Sequence, residues 1–463
     1  MSGIIYSLSQ RGKPIAIYNG YMYNFLNEKT KKKYWRCQSR SCRGRLLEEE
    51  GVCKVIVEHN HDFDNKKIDI HLKRQQIKEK TLKTNERTSD IVVRAMSDVK
   101  PELIPSMPIE RSLKNYVNRI KNSKFGNIKP AIPDFPESLR INFRGDGFLQ
   151  HDSGIGKNNR FVIFQTSFQK EVAEKVDVAL IDGTFKSVPH GFYQLITVQG
   201  QVMGKFYPLC FILMENKTEE AYKICFRYIK EECSFKPKFI IIDFEKALIN
   251  SLSFIFDTSK LYGCSFHFSQ AVWKHVQKLG LTKDYKSDKE VRGFIRKLLN
   301  LVFYPIEEVV EVFIGIKNLA LISEKYTKLE LLFSYFEKNF VGTFLEREYI
   351  YPRYDIEFWS CYERIIKNLP RTTNIIEAWH RGLNQESIIA HPNIARFHEL
   401  ICKEEERTRY RIIQTFAGKN IEIPNNDLKK EYKLQIIIKN YELFTSDGFS
   451  IALENTTDWL LEN

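Results

Sequence analysis

Apolar and polar positions change rhythm several times along the chain, and each change marks a different kind of structure. From residue 14 to about 63 the rhythm is short and aromatic. Ile15-Ala16-Ile17-Tyr18 and Tyr21-Met22-Tyr23-Asn24-Phe25-Leu26 flank Asn19-Gly20. That dipeptide suits a two-residue hairpin, whose central residues both need positive φ. Lys33-Tyr34-Trp35-Arg36-Cys37 and Val52-Cys53-Lys54-Val55-Ile56-Val57-Glu58 read as further strands, so the segment predicts a small antiparallel sheet. Between about 68 and 122 the pattern turns charged and helical, with Ile77, Leu82, Ile91, Val92, Ala95 and Met96 at loose helical spacing. Pro101, Pro105 and Pro108 break that stretch, and Pro130, Pro133 and Pro136 mark a boundary.

From about 140 to 275 apolar strands take over. They are expected at 160–166, 177–182, 193–203 and 206–214. A helix follows to about 232, capped by Thr218 with Glu219 and Glu220 in its first turn. Strand 239–243, helix 246–256, strand 260–264 and helix 268–278 complete the run. This order of strands and helices is that of an RNase H-like fold. Residues 284–368 carry almost no strand signal; 291–300, 306–316 and 325–339 are amphipathic helical stretches and read as an insertion. Residues 371–416 predict a long helix or a helix pair, and the polar tail after Gly418 predicts no element.

Composition narrows the class. A chain of 463 residues, 43% hydrophobic and 28% charged, has ample core for two to four units. The longest wholly apolar run, about 207–214, is far short of a membrane span. Met1-Ser2-Gly3-Ile4-Ile5-Tyr6 lacks the basic-then-apolar layout of a secretory signal. Nine scattered cysteines argue for a reducing compartment rather than a disulfide framework. The net charge of +13 is lopsided: residues 1–130 hold 27 Lys and Arg against 14 Asp and Glu, and the remainder holds 44 of each. A basic N-terminal segment on a neutral body is suited to docking on a polyanion, most simply a nucleic acid.

Cys37-x4-Cys42 is followed after sixteen residues by His59-Asn60-His61. Two thiolates and two imidazoles suit tetrahedral zinc, and so small a sheet needs such a staple. Asp62 is placed to orient a histidine, and Cys53 reads as a strand residue rather than a ligand. Tyr21-x-Tyr23, Phe25-Leu26, Tyr34-Trp35-Arg36-Cys37, Cys42-Arg43-Gly44-Arg45 and His59-Asn60-His61 together resemble the FLYWCH zinc fingers over residues 14–61. That resemblance implies a zinc-stapled, WRKY-like sheet associated with DNA binding; Tyr21 stands where the family's opening aromatic is often Phe. Lys31, Lys32, Lys33, Arg36, Arg40, Arg43 and Arg45 are the candidate phosphate contacts.

Three acids carry the candidate chemistry. Asp182 follows Val178-Ala179-Leu180-Ile181, Asp243 follows Phe239-Ile240-Ile241-Ile242, and Glu377 sits in a helix-like run far downstream. If the two strands are neighbours, both aspartates emerge at one edge, and paired divalent metals held there can cleave a phosphodiester. Gly183 allows a tight turn or a close ligand approach after Asp182. Glu245 is a rival for the role of Asp243 but ranks lower, because an i+2 position on a strand points elsewhere. His380 lies one helical turn after Glu377, on the same face. Asp182-Gly183-Thr184-Phe185, Asp243-x-Glu245-x-Ala247, Cys264-Ser265-Phe266-His267-Phe268 and Asn374-x-x-Glu377-x-x-His380 resemble, in order, the transposases of Mutator-like elements, the MULE domain, over residues 140–420.

The MULE resemblance implies an RNase H-like core with a helical insertion before the last acid. It implies a DDE site of Asp182, Asp243 and Glu377 loaded with magnesium or manganese, with Cys264, His267 and His380 as auxiliaries. It also implies cleavage of double-stranded DNA at the terminal inverted repeats of an element, strand transfer into target DNA and self-association; DNA as substrate and the basic run at 29–33 point to the nucleus. The expected organisation is α/β: a zinc finger at 1–66, a basic helical linker at 67–139, the first part of the core at 140–283, the insertion at 284–370, the final core helices at 371–420 and a tail at 421–463. The rival reading is a transposase-derived DNA-binding regulator without catalysis.

Overall fold

The computed structural model describes residues 3–9, 12–83, 88–123, 135–154, 159–345, 348–387, 391–419 and 425–457. Pro130, Pro133 and the boundary expected at 420/421 lie outside the described residues. The chain divides into two compact units, residues 1–128 and 129–463.

The first unit opens with strands β1 (Ile5–Leu8), β2 (Pro14–Tyr18), β3 (Tyr21–Lys29), β4 (Lys32–Cys37), β5 (Arg45–Glu49) and β6 (Val52–Val57), paired antiparallel in chain order. The hairpin at Asn19-Gly20 forms as the dipeptide predicts, with Tyr18 opposite Tyr21 and φ of 48° and 80° at the two turn residues. Strands β1 and β5 were not anticipated. In β5 the inward position after Leu46 is Glu48, which is 5% exposed. It accepts hydrogen bonds from Tyr6 Oη (2.6 Å), Trp35 Nε1 (3.0 Å) and Lys33 Nζ (3.2 Å). A carboxylate buried with three donors inverts the polarity that strand patterning relies on.

Helices α1 (Asn65–Lys83), α2 (Thr88–Ser97) and α3 (Glu110–Ser123) complete the unit. Ile68 and Leu72 of α1 pack against Ile15, Ile17 and Met22 of the sheet. Ile77, Ile91, Val92 and Ala95 join Leu113 and Val117 in a second small core, whereas Leu82 and Met96 are exposed.

The second unit is built on a seven-stranded sheet. Its strands are β7 (Leu149–Asp152), β8 (Phe161–Phe164), β9 (Val178–Thr184), β10 (Gln194–Val202), β11 (Lys205–Met214), β12 (Phe239–Ile242) and β13 (Lys260–Gly263), in the spatial order β13-β12-β9-β10-β11-β8-β7. Strands β12 and β13 run parallel to β9, and the other pairs are antiparallel. Helices α4 (Ser167–Ala173), α5 (Glu219–Glu232), α6 (Lys246–Ile255) and α7 (Ser265–Lys278) lie between strands or follow them. Thr218 caps α5 as predicted, its side chain accepting from Ala221 N. Ile181, Ile196, Ile212, Ile240 and Ile242 pack with Tyr222, Phe226 and Leu252 on one face. Val178, Leu180, Ile241, Tyr262 and Cys264 cluster on the other. Burial on both faces explains why these strands read as unbroken apolar runs.

A helical body follows: α8 (Thr282–Ser287), α9 (Lys289–Asn300), α10 (Val309–Leu321), α11 (Tyr326–Phe336), the hairpin β14 (Thr343–Leu345) and β15 (Glu348–Ile350), α12 (Ile356–Trp359) and α13 (Tyr362–Ile366). Then α14 (Asn374–Ser387) returns to pack on β9, and α15 (Ile394–Phe416) packs on β11. The tail folds into α16 (Asn425–Lys439) and α17 (Ser446–Thr456). Leu434, Ile438, Phe449 and Leu453 are fully buried in the same core as Leu298, Phe303, Phe333 and Ile365. Each tail helix contributes two such anchors four residues apart, too few to stand out as a period in the sequence.

Candidate functional site

In the first unit one ligand atom from each of Cys37, Cys42, His59 and His61 lies within 4.8 Å of all the others. Cys37 Sγ is 3.3 Å from His61 Nε2, and Cys42 Sγ is 3.4 Å from His59 Nδ1. Tetrahedral zinc with ordinary Zn–S and Zn–N bonds sets such pairs roughly 3.5 Å apart, so the four residues fit the ion. The thiols sit where main-chain N–H groups point at them, from Ser39 to Cys37 (3.4 Å) and from Gly44 to Cys42 (3.3 Å). A Cβ on Gly44 would lie 2.8 Å from the His59 ring.

The remaining ring nitrogens are also engaged. His59 Nε2 is 2.7 Å from Tyr23 Oη, and His61 Nδ1 is 2.8 Å from the Asp62 main-chain carbonyl. Asp62 thus orients its histidine through the backbone, not through the expected carboxylate, and Tyr23 supplies the other orienting group. The Tyr21 ring stacks on His59 at 3.7 Å. Cys53 is not among the clustered ligands.

Of the candidate phosphate contacts, Lys31, Arg36, Arg40 and Arg43 are exposed. Lys32 and Lys33 pair with Glu49 (3.1 Å) and Glu48 (3.2 Å), and Arg45 donates to the carbonyls of Arg43 and Gly44.

In the second unit Asp182 lies inside β9 rather than at its end, because the strand continues to Thr184. Gly183 is therefore a strand residue; a Cβ there would sit 3.3 Å from Gln194 Oε1, so the close approach is by a side chain of the next strand. Strand β12 pairs parallel with β9, with Phe239 opposite Val178 and Ile241 opposite Leu180. Extending that register by two residues brings Asp243 level with Asp182, on the face shared by Leu180 and Ile241.

Helix α14 completes the group. His380 Nδ1 is 3.3 Å from Asp182 Oδ2, and its Nε2 is 3.3 Å from Thr197 Oγ1, the residue paired with Asp182 across β9 and β10. A carboxylate only accepts, so Nδ1 carries a proton toward Asp182, and Nε2 meets the Thr197 hydroxyl. Glu377 lies in the first turn of α14, its Oε1 3.5 Å from His267 Nε2. Helix α7 begins at Ser265, three residues earlier than expected, which puts His267 in its first turn.

The junction between β13 and α7 is tied to the start of α14. Thr373 N donates to Cys264 Sγ (3.2 Å), and Ser265 N donates to the Arg371 carbonyl (2.9 Å). These bonds bring His267 and Glu377 together across a long stretch of chain.

The electrostatics follow from crowding. Burial raises the Asp243 carboxyl above its ordinary range, and neighbouring Asp182 raises it further; the Glu245 N–H (3.0 Å to Oδ1) and His267 oppose the rise. Burial and Asp182 likewise raise Glu377. Burial pulls His267 down, but Cys264, Asp243 and Glu377 outweigh it and push the imidazole up to about 9. The Cys264 thiol goes down, because His267 and the Thr373 N–H outweigh burial. The attraction between Cys264 and His267 is electrostatic, since His267 Nδ1 makes no well-directed hydrogen bond.

Four buried polar atoms at this junction lack a hydrogen bond: Ser265 Oγ, His267 Nδ1, Thr373 Oγ1 and Glu377 Oε1. A buried carboxylate oxygen with only the long 3.5 Å contact to His267, beside two crowded aspartates, fits residues arranged for divalent cations.

Several neighbours escaped the sequence reading. Glu245 is not on a strand but at the N-cap of α6, where Tyr222 Oη donates to its Oε1 (3.1 Å). Lys217 Nζ lies 5.9 Å from the ring centres of both Phe185 and Tyr193, two half-exposed aromatics in edge-to-face contact. Burial raises the Glu245 carboxyl as it does Asp243, and Lys217 opposes the rise at both. Glu245 and Phe185 gave signals in the sequence, as a rival acid and as part of the Asp182 motif, whereas Lys217, Tyr193 and Tyr222 gave none.

No curated protein compared with the chain matches it. Two family models do, and the second covers Asp182, Asp243, Cys264 and His267 but not Glu377 or His380. The chain carries a FLYWCH zinc finger domain at residues 6–61 and a MULE transposase domain at residues 178–271.

Proposed function

We propose that the protein is a DNA transposase of the DDE type, with Asp182, Asp243 and Glu377 as its catalytic acids. The observation that carries the reading is the meeting of two aspartates in register on adjacent parallel strands with a glutamate delivered by α14. The sheet order β11-β10-β9-β12-β13, with the last two strands parallel to the first of the antiparallel trio, supports an RNase H-like core. The zinc finger domain and the basic N-terminal third support binding to double-stranded DNA, at element ends and at the target. Exposed Lys31, Arg36, Arg40 and Arg43 are the better phosphate contacts, and Lys32, Lys33 and Arg45 act from their internal partners. Self-association and nuclear residence belong to the same reading.

Magnesium or manganese ions held by the three acids would activate the attacking oxygen and stabilise the leaving one. The chain's own groups fix the acids. His380, itself held by Thr197, sets the Asp182 carboxylate; the Glu245 N–H sets Asp243; His267 faces Glu377 from a helix anchored through Cys264. Such supports matter because phosphoryl transfer depends chiefly on positioning.

Purified full-length protein, loaded with zinc and supplied with magnesium or manganese, should nick a labelled DNA duplex. Asp182→Asn should abolish nicking and leave duplex affinity unchanged. Normal cutting by that variant would refute the site, and DNA binding by wild type without any cutting would favour the regulator reading.

A further inference from the structure

We propose that the N-terminal unit holds a phosphate-binding cavity, separate from the zinc centre and from the acidic site. The cavity has a volume of about 290 Å³ and lies between the first helix and the sheet. Its polar lining is Ser9, Gln38, Lys67, His71, Arg74 and Gln75, with apolar side chains for the remaining wall. Lys67, His71 and Arg74 follow one another at spacings of four and three along α1, so all three share the helix face that looks at the sheet. The adjoining face holds Ile68 and Leu72 against the sheet core, which fixes the helix beside these groups.

The charge balance singles the cavity out. No Asp or Glu lines it among the described residues. Lys32 pairs with Glu49, Lys33 with Glu48 and Lys73 with Asp98 at 3.6 Å, while Lys31, Arg36, Arg40 and Arg43 stand exposed on the open surface. Lys67 and Arg74 have no carboxylate within ion-pair distance among the described residues, although both face a concave, partly apolar wall. Like charges gathered there repel, and an anion relieves that repulsion.

The rest of the lining is pinned, not free. Gln75 Nε2 donates to the Leu8 carbonyl (2.5 Å), and His71 Nε2 is 2.8 Å from Ser7 Oγ. That leaves the guanidinium fork of Arg74, the ammonium of Lys67 and the Gln38 amide as the other donor groups of the lining. A planar fork beside a point charge suits the several oxygens of a phosphate. The volume admits a phosphate with its attached sugar and is small for a larger ligand.

The phosphate can come from a nucleic-acid backbone or from a free nucleotide. The backbone is favoured by position: Gln38 belongs to the zinc loop, between exposed Arg36 and Arg40. In this form the inference rests on the finger's DNA-binding role.

The test uses the zinc-loaded full-length chain and the double variant Lys67→Gln/Arg74→Gln, checked for unchanged zinc content and melting temperature. Inorganic phosphate and ADP are titrated while the ³¹P line width is followed, and duplex affinity is measured across a salt series. Wild type should broaden the phosphate line, and the variant should not. The variant should also bind duplex roughly tenfold more weakly at low salt, with a salt slope shallower by about 1. Broadening that is lost in the variant, in a wild-type protein with no duplex affinity, assigns the site to free phosphate and leaves the cavity standing. An unchanged slope and affinity in the variant, together with no phosphate broadening in wild type, would overturn the proposal. If Arg40→Gln/Arg43→Gln alone weakened duplex binding, the cavity variant did not, and wild type failed to broaden the phosphate line, the cavity would be refuted and the finger's role kept.

Discussion

Gly44→Ala is a sharp test of the zinc centre. Gly44 has no left-handed backbone requirement, so the substitution acts through space and not through φ. The new Cβ would lie 2.8 Å from His59 Cε1 and Nδ1 and 3.2 Å from Cys42 Sγ. Ordinary contact begins near 3.4 Å, so the imidazole must retreat by about 0.6 Å, whereas a zinc ligand tolerates roughly 0.2 Å. The ring cannot slide freely, because Tyr21 stacks on it and Tyr23 holds Nε2. Disturbing a ligand's supports costs about 10- to 100-fold in metal affinity, on the order of 1.4 to 2.7 kcal/mol. Zinc affinity measured by competition with a chromophoric chelator at fixed pH should fall by that factor, with loss of the sheet's circular dichroism at limiting zinc. An affinity within twofold of wild type would mean that His59 Nδ1 does not ligate the metal in this geometry.

Three further outcomes follow from the second unit. Thr197→Val keeps the shape of the side chain but removes the hydroxyl that meets His380 Nε2. It should slow DNA nicking about tenfold at unchanged duplex affinity; an unaltered nicking rate would show that the Asp182–His380–Thr197 chain plays no positioning part. Leu453→Ala should destabilise the protein by roughly 2–5 kcal/mol in urea, because Leu453 is fully buried in the helical core, and a loss below about 0.5 kcal/mol would contradict that packing. His398, packed against Phe148 and Phe164, is pulled by burial from 6.5 down to about 4 despite a hydrogen bond with the Ile141 backbone. Its contribution is complete above pH 6.5 and is lost as pH falls toward 4, so about 2 kcal/mol should disappear between pH 7 and 5. His398→Gln should flatten that part of the stability profile; an identical profile would refute the assignment.

Local chemistry made much of this legible. Asn19-Gly20 dictates its turn wherever it stands, and Thr218 caps its helix through a neighbour three residues away. The zinc ligands announce themselves by type and spacing within a short segment. Asp182 and Asp243 stand out because each closes an unbroken apolar run of a buried strand, where a carboxylate is conspicuous. Strand β5 was hidden because Glu48 is a core residue with three donors, a property of its partners and not of its own sequence. Helices α16 and α17 were hidden because each supplies two anchors to a core formed mostly by other elements.

The sequence by itself determined the Asn19-Gly20 turn, the Thr218 cap, the apolar core strands, which residues can ligate zinc and which acids stand out. Those are matters of near neighbours, where turn geometry, periodicity and ligand type act within a few residues. The tertiary structure alone decided that β12 lies beside β9, that His380 reaches Asp182 and Thr197, and that Thr373 fastens to Cys264. It also decided that the unpaired cations of α1 share one cavity. These are encounters between distant segments, set by how sheet faces and helix stripes find mutual burial, and no local pattern encodes them.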